Sequence, residues 1–163
     1  MSGVQAQFKT DQAWDAIVAL LEGQLVKVDV AAICERDFNE EGELVMNPPS
    51  VRVFFAGEAA QSTSDSQRLS YLVDGRYIVL CADQDLRGVI DQARASIQLV
   101  NQVKAILAGA RLALADGDVS EPLIWFGTDP QPVDGIGTAY GVGFIVPGLA
   151  QFPGANAQPI GGF

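Results

Sequence analysis

Residues 85–109 read DLRGVIDQARASIQLVNQVKAILAG, and the organisation of the chain turns on this stretch. Leu86, Ile90, Ala93, Ile97, Val100 and Leu107 recur mostly every three or four positions, while Asp91, Arg94, Gln98, Gln102 and Lys104 fall largely on the other side. That is the period of an amphipathic helix. Asp83 or Asp85 is placed to accept from the free N–H groups of the first turn, where negative charge also suits the helix dipole. Gly109 is the expected stop, with Lys104 near the negative end. Such a helix does not hold on propensity alone. It has to lay its apolar stripe on something, and strand-like runs before and after it are the partner.

The run that feeds it, Tyr77-Ile78-Val79-Leu80-Cys81, is apolar on both faces, which predicts a central strand covered by a helix on at least one side. Leu69–Val73 and Tyr77–Cys81 flank Asp74-Gly75, a pair that tolerates the positive φ of a type I′ turn, so a tight hairpin is expected here. Upstream, Val51–Phe55 is a compact strand interrupted by Gly57, and Pro48-Pro49 should force extended backbone before it. Residues 35–50 form a polar, turn-rich crossing and residues 58–66 a solvent loop.

Near the start, residues 1–9 are a loose lead-in. Thr10 or Asp11 is the expected cap of a helix running to about Glu22, with Trp14, Ile17, Val18, Leu21 and Leu25 on or near one face and Gly23 ending it. Val26, Val28 and Val30 then alternate with Lys27 and Asp29 as a strand, although Ala31–Cys34 reads equally as helix.

Past the long helix the pattern is short: Leu112–Leu114, an Asp116-Gly117-Asp118 turn, and Leu123–Phe126, with 127–138 read as loop. The last strand, Ala139–Val146, carries Tyr140, Val142, Phe144 and Val146 on one face and Gly141 and Gly143 on the other, which invites a backbone or helix to approach closely. The remainder has no period. It reads either as a frayed end or, since Phe152 and Phe163 would be out of place in solvent, as an arm lying on a neighbouring subunit. The expected architecture is α+β: a mixed or antiparallel sheet with an N-terminal helix and one long central helix packed on one face. Residues 1–148 form a single domain and 149–163 an extended C-terminal arm.

Charge limits the function classes. Ten basic against twenty acidic residues give −10, with no histidine, and all Lys and Arg lie at or before Arg111. Asp116, Asp118, Glu121, Asp129 and Asp134 then stand without balance, so specific nucleic-acid binding is disfavoured. No run is long and apolar enough to span a bilayer, and the N-terminus has neither a basic n-region nor an unbroken apolar core. Membrane partners and a cleaved signal are not expected.

Chemistry-bearing patterns are sparse. Without histidine the commonest general base and zinc ligand are missing. Cys34 and Cys81 lack CxxC spacing, and two buried reduced thiols are expected rather than a disulfide. Asp37, Glu40, Glu41 and Glu43 cluster, but DFNEEGELVMNP lacks the register of a calcium loop. Asp134-Gly135-Ile136-Gly137 lacks a strand–turn–helix context. No catalytic, metal or cofactor residue is assigned. Arg68, Arg76, Arg87 and Arg94 are the main candidates for contacts with acidic partners.

The N-terminal helix with Trp14-Asp15-Ala16-Ile17, then Pro49-Ser50-Val51-Arg52-Val53-Phe54-Phe55, then Tyr77-Ile78-Val79-Leu80 feeding a long helix, resembles the small tail-completion proteins of Mu-like bacteriophages and prophages. That group is similar in size and layout to the tail terminator proteins of long-tailed phages, and Pro122–Val146 is similar to their closing strand pair. The resemblance implies a non-enzymatic virion protein without cofactors. It would form a homohexameric ring on the tail tube protein, stop tube growth and offer a docking surface to the head-completion (stopper) protein. It would be found in host cytoplasm during assembly and in the tail or neck of the virion afterwards. Interface candidates are Arg68, Arg76, Phe152 and Phe163, with loops 35–48, 57–67 and 127–138 and the arm. The competing readings are another neck, stopper or tail-assembly adaptor protein, a cytoplasmic chaperone, and a small non-metal hydrolase.

Overall fold

The computed structural model describes residues 8–61, 71–83, 89–133 and 137–151. Five strands form one sheet in the order β1-β2-β3-β5-β4: β1 (Asp29–Ala32), β2 (Ser50–Ala60), β3 (Tyr71–Ala82), β5 (Gly137–Gln151) and β4 (Ile124–Val133). Only β1 and β2 run parallel; the other neighbours are antiparallel. Two helices, α1 (Lys9–Gln24) and α2 (Val89–Leu107), pack on one face. This is the expected α+β architecture, with β3 central as its doubly apolar sequence required.

The inner face holds the main core. Ala13, Ile17 and Leu21 of α1 and Val100, Val103 and Leu107 of α2 meet Val51, Val53, Tyr77, Val79, Val142, Phe144 and Val146 of the sheet. The expected inward stripe of the last strand is therefore real. Trp14 completes the anchorage of α1, its Nε1–H donating to the Val53 carbonyl at 2.9 Å. The helix needs no polar side chain at its start: Phe8 is the cap residue, and Thr10, expected as a cap, lies inside the first turn and is buried. The Thr10 carbonyl accepts the Tyr77 hydroxyl at 2.6 Å. Gly23 also falls inside the helix, which ends against Leu25.

Three further expectations shift. On α2 the buried line is Ser96, Leu99, Val100, Val103 and Leu107, and Ile97 is 44% exposed. Ser96 is buried beside it, its hydroxyl accepting from the Asp83 backbone N–H at 3.2 Å, while Val100 and Leu107 face inward as expected. The start of the expected helix, with Asp85 and Leu86, lies outside the described residues. Gly109 does end it, at φ 78, with its N–H bonded to the Leu123 carbonyl at 2.9 Å. On β1 the strand begins only at Asp29, because Lys27 turns at φ 60, and Val26 is left exposed. Loop 127–138 is instead largely strand, since β4 continues to Val133. β4 is an edge, and Pro130 and Pro132 share one phase of its ladder, so their missing N–H groups belong to the side away from β5.

The Asp74-Gly75 pair does not turn a hairpin. It sits inside β3, where the register against β5 shifts from Val73↔Leu149 to Gly75↔Val146. Two residues of β5, Pro147 and Gly148, thus face one of β3, which is a β-bulge. The Asp74 carboxylate holds it together, accepting from the Gly148 N–H at 3.0 Å and the Gln61 amide at 2.8 Å. Gly75 is not in the left-handed region; a Cβ there would lie 2.9 Å from the buried Tyr77 ring. The hairpin partners are β2 and β3.

Gly75→Ala is expected to destabilise the fold by about 1–3 kcal/mol, because Tyr77 cannot move without abandoning the Thr10 carbonyl. Gly143→Ala, whose obstructing neighbour Phe126 is half exposed and free to swing outward, should cost less. Urea unfolding of the two variants checks the order; equal losses would refute it.

Candidate functional site

The outer face of the sheet is divided. Near β1 it is closed by the connection from β1 to β2, which must cross the sheet because the two strands are parallel. Ile33, Leu44 and Met46 of that crossing pack on Phe54, Leu80, Ala82 and Ala139. Beneath it lies a charged clamp. Arg52, on the β2 face opposite Val51 and Val53, is buried and reaches Asp37 through Nε at 2.9 Å and Asp29 through Nη2 at 2.6 Å. Its Nη1 donates to the Asp29 carbonyl at 2.7 Å. Burial alone would raise the Asp37 pKa, but the Cys34 backbone N–H and Arg52 outweigh it and hold the carboxyl below its ordinary value.

The rest of the outer face has no such cover among the described residues. The register places Phe54 beside Ile78 and Ile78 beside Gly143, over which the Phe126 ring lies. The next row is Arg76 beside Ile145 and Ile145 beside Ile124. Ile124 is 51% and Phe126 49% exposed. The alternating glycines Gly141 and Gly143 thus receive side chains of neighbouring strands, Ile78 and Phe126, and not the expected helix or backbone. Trp125 points the other way, under Lys104 Nζ at 4.1 Å from the ring centroid, with its Nε1–H on Thr128.

Of the residues singled out as interface candidates, Arg76 lies on this face, exposed and without an ion-pair partner among the described residues. Arg68, Phe152 and Phe163 lie outside the described residues, as does Arg87. Arg94 is exposed on α2. The acidic late stretch is partly balanced after all: Lys9 pairs with Asp116 and with Asp118, and Arg111 stands 3.7 Å from Glu121.

Chemistry of the catalytic kind finds little support. Cys34 is exposed, contrary to expectation, and its thiol faces Asp37 at 3.5 Å. Cys81 is buried and burial pushes its thiol pKa up, which disfavours the thiolate. Among the described residues no three His, Cys, Asp or Glu gather as a metal site, and no helix is long and apolar enough to cross a membrane. A depression of about 120 Å³ lies between Lys9, Asp118, Glu121 and Gly148, small beside ordinary ligand pockets, and both its carboxylates face cations.

Residues 10–123 match the family described as Bacteriophage Mu, Gp37. The chain belongs to that family. Membership in the Gp37 family makes this a Mu-like phage protein and is consistent with a phage tail or virion component. The matched region holds both helices, the Arg52 clamp and strands β1 to β3, and ends one residue before β4. Among solved structures, a chain of the virion of a native gene transfer agent particle is similar at 11% identity, over 74% of this chain and 98% of its own, with a TM-score of 0.26. That superposition is too loose to bear on role. No curated protein matches the chain.

The clamp was missed in the sequence, although an arginine alone inside the apolar run VRVFF was its signal. Asp37→Asn should cost about 2–4 kcal/mol at neutral pH, by leaving Arg52 with one carboxylate. Because the folded pKa of Asp37 is depressed, its contribution is present above the unfolded value near pH 4 and fades as pH falls through the folded one. Urea unfolding of both proteins should show a gap at pH 7 that narrows as the solution is acidified below the ordinary carboxylate range; a gap constant with pH refutes the assignment.

Proposed function

We propose that the protein is a structural part of the phage tail that closes the end of the tail tube as a homohexameric ring. In doing so it stops tube polymerisation and presents the surface to which the head-completion (stopper) protein docks. The observation that carries this reading is membership in a Mu-like phage family, joined to a sheet whose outer apolar face is only half covered among the described residues. A soluble monomer rarely leaves such a face open without a partner. A closed ring needs two different complementary patches on each subunit, since every copy gives one surface and receives on another. The exposed apolar rows around Ile145 and Ile124 suit one of them, and Arg76, Arg68, Phe152 and Phe163 are the proposed interface residues.

Net charge of −10 fits the same role. An acidic lumen repels the phosphate backbone, so the genome passes through and is not retained. No sequence-specific contact with nucleic acid and no membrane contact is part of this reading. The protein acts in the host cytoplasm during assembly and ends in the tail or neck of the virion.

The test uses purified tail tubes and additional tube subunits. With the protein present, a ring should appear at one tube end in negative stain, and tubes should stop lengthening. Tubes that lengthen equally with and without it would overturn the reading. Binding at the end remote from the head, with elongation unaffected, would instead favour an adaptor role.

A further inference from the structure

We infer that the flank of α2 beside β4 receives the hairpin 38–45 of the next copy, a contact between two different surfaces of the same chain. It rests on the ring reading above for its closure, and it supplies the receiving surface that such a ring needs. Arg94, Ile97, Asn101 and Lys104 follow one another at spacings of three and four, so they share a line on α2 beside the buried one. Arg94, Ile97 and Asn101 are exposed, and Lys104 is half-buried where its ammonium lies over the exposed Trp125 ring. An aliphatic and an aromatic side chain are thus bracketed by two cations, and among the described residues neither cation meets a carboxylate. In a chain of net charge −10, such a surface attracts the acidic parts of other copies.

The hairpin has the opposite character on a similar plan. Glu40, Glu41 and Glu43 are exposed at its turn, and Phe38 and Val45 are exposed on its arms. None of the three glutamates joins an ion pair among the described residues. Apolar side chains bracketed by carboxylates thus match apolar side chains bracketed by cations. The hairpin is also held ready. Phe38 and Leu44 form its bridge, the Glu41 and Glu43 N–H groups donate to Asn39 Oδ1 at 3.0 and 2.8 Å, and Gly42 closes the turn at φ 80. Its base is Asp37, held by Arg52 at 2.9 Å. Little order is therefore left to be lost on docking, which is where a small contact otherwise forfeits affinity. Ten residues separate Arg94 from Lys104, about 15 Å of helix, a distance that long glutamate, arginine and lysine side chains on either side of one turn can span. Leu44 packs on the outer face of the sheet, whereas α2 lies on the inner one. Each copy therefore gives from one face and receives on the other, a heterologous contact that closes when the rotation does.

The experiment is a charge exchange in the full chain, read as solution mass by light scattering in low and high salt. One variant carries Glu40→Lys with Glu41→Lys, a second Arg94→Glu with Lys104→Glu, and a third all four. None of these side chains is in the core, so the fold survives, which an unchanged melting temperature verifies. The expected result is association of the parent that weakens with salt, and a loss of about tenfold or more in association in each of the first two variants. The first of them lowers the net charge, so its loss cannot come from general repulsion. The fourfold variant regains the parent's mass, as does a mixture of the first two, in which each copy again finds its opposite. A parent that stays monomeric in low salt at every concentration overturns the inference, and the tube-end assay then decides the ring reading by itself. An oligomer of ring mass that survives both exchanges overturns the inference and leaves the ring. Loss in each exchange without recovery in the fourfold variant also overturns it. Recovery that stops at two copies supports the contact and overturns the ring.

Discussion

The hydroxyl of Tyr77 is the point on which the two layers depend. It is fully buried in the middle of the central strand, and burial pushes its pKa upward, so it stays a neutral donor. Its bond to the Thr10 carbonyl fixes the first turn of α1 over the sheet. The ring packs on Phe55 at 5.5 Å between centroids, and Phe55 packs on Trp14, so the same contact line reaches the middle of the helix. Space for the ring exists only because residue 75 is a glycine, and the bulge beside it is held by Asp74. The uncapped helix start, the glycine beside the bulge and the aromatic line all meet at this one buried donor and its acceptor.

From this follows the asymmetry of the molecule. Both helices are drawn to one face, and among the described residues the other is covered by the crossing between β1 and β2. That crossing is not helical and covers little area, so it is fixed by ions as well as apolar contact. From β2, Arg52 reaches Asp29 at the start of β1 and Asp37 within the connection, which ties the loop down where a helix would have used a long apolar stripe. The clamp ends at β2, and the rows across β3, β5 and β4 lie beyond its reach.

Much of this was legible in the sequence. Period and alternation located both helices, the central strand and the inward stripe of the last strand, because burial on one face writes itself into spacing. Three of the features read wrongly show why in physical terms. Asp-Gly serves a tight turn and a bulge equally well, and only the partner strand decides between them. Ile97 looked inward because an apolar residue outranks a serine in any stripe, whereas the buried hydroxyl of Ser96 had a backbone donor waiting for it. GTDPQPV looked like loop because its prolines and polar residues are forbidden in a central strand but tolerated on an edge. The outer face was the least readable part. Its residues lie on four strands, each contributing one or two side chains, and only the register assembles them.

Those edge prolines have a consequence for how copies of the chain can add to one another. An open strand is a template: a further strand can bond to it, expose a fresh edge in turn, and continue without limit as in a fibril. Where Pro130 and Pro132 stand, β4 has no donors to offer, and at the opposite edge β1 is only four residues long. Growth by backbone pairing is thereby blunted on both sides, and what remains for association is side-chain contact. Contacts of that kind fix an angle between copies, and a fixed angle lets an assembly count its members and finish.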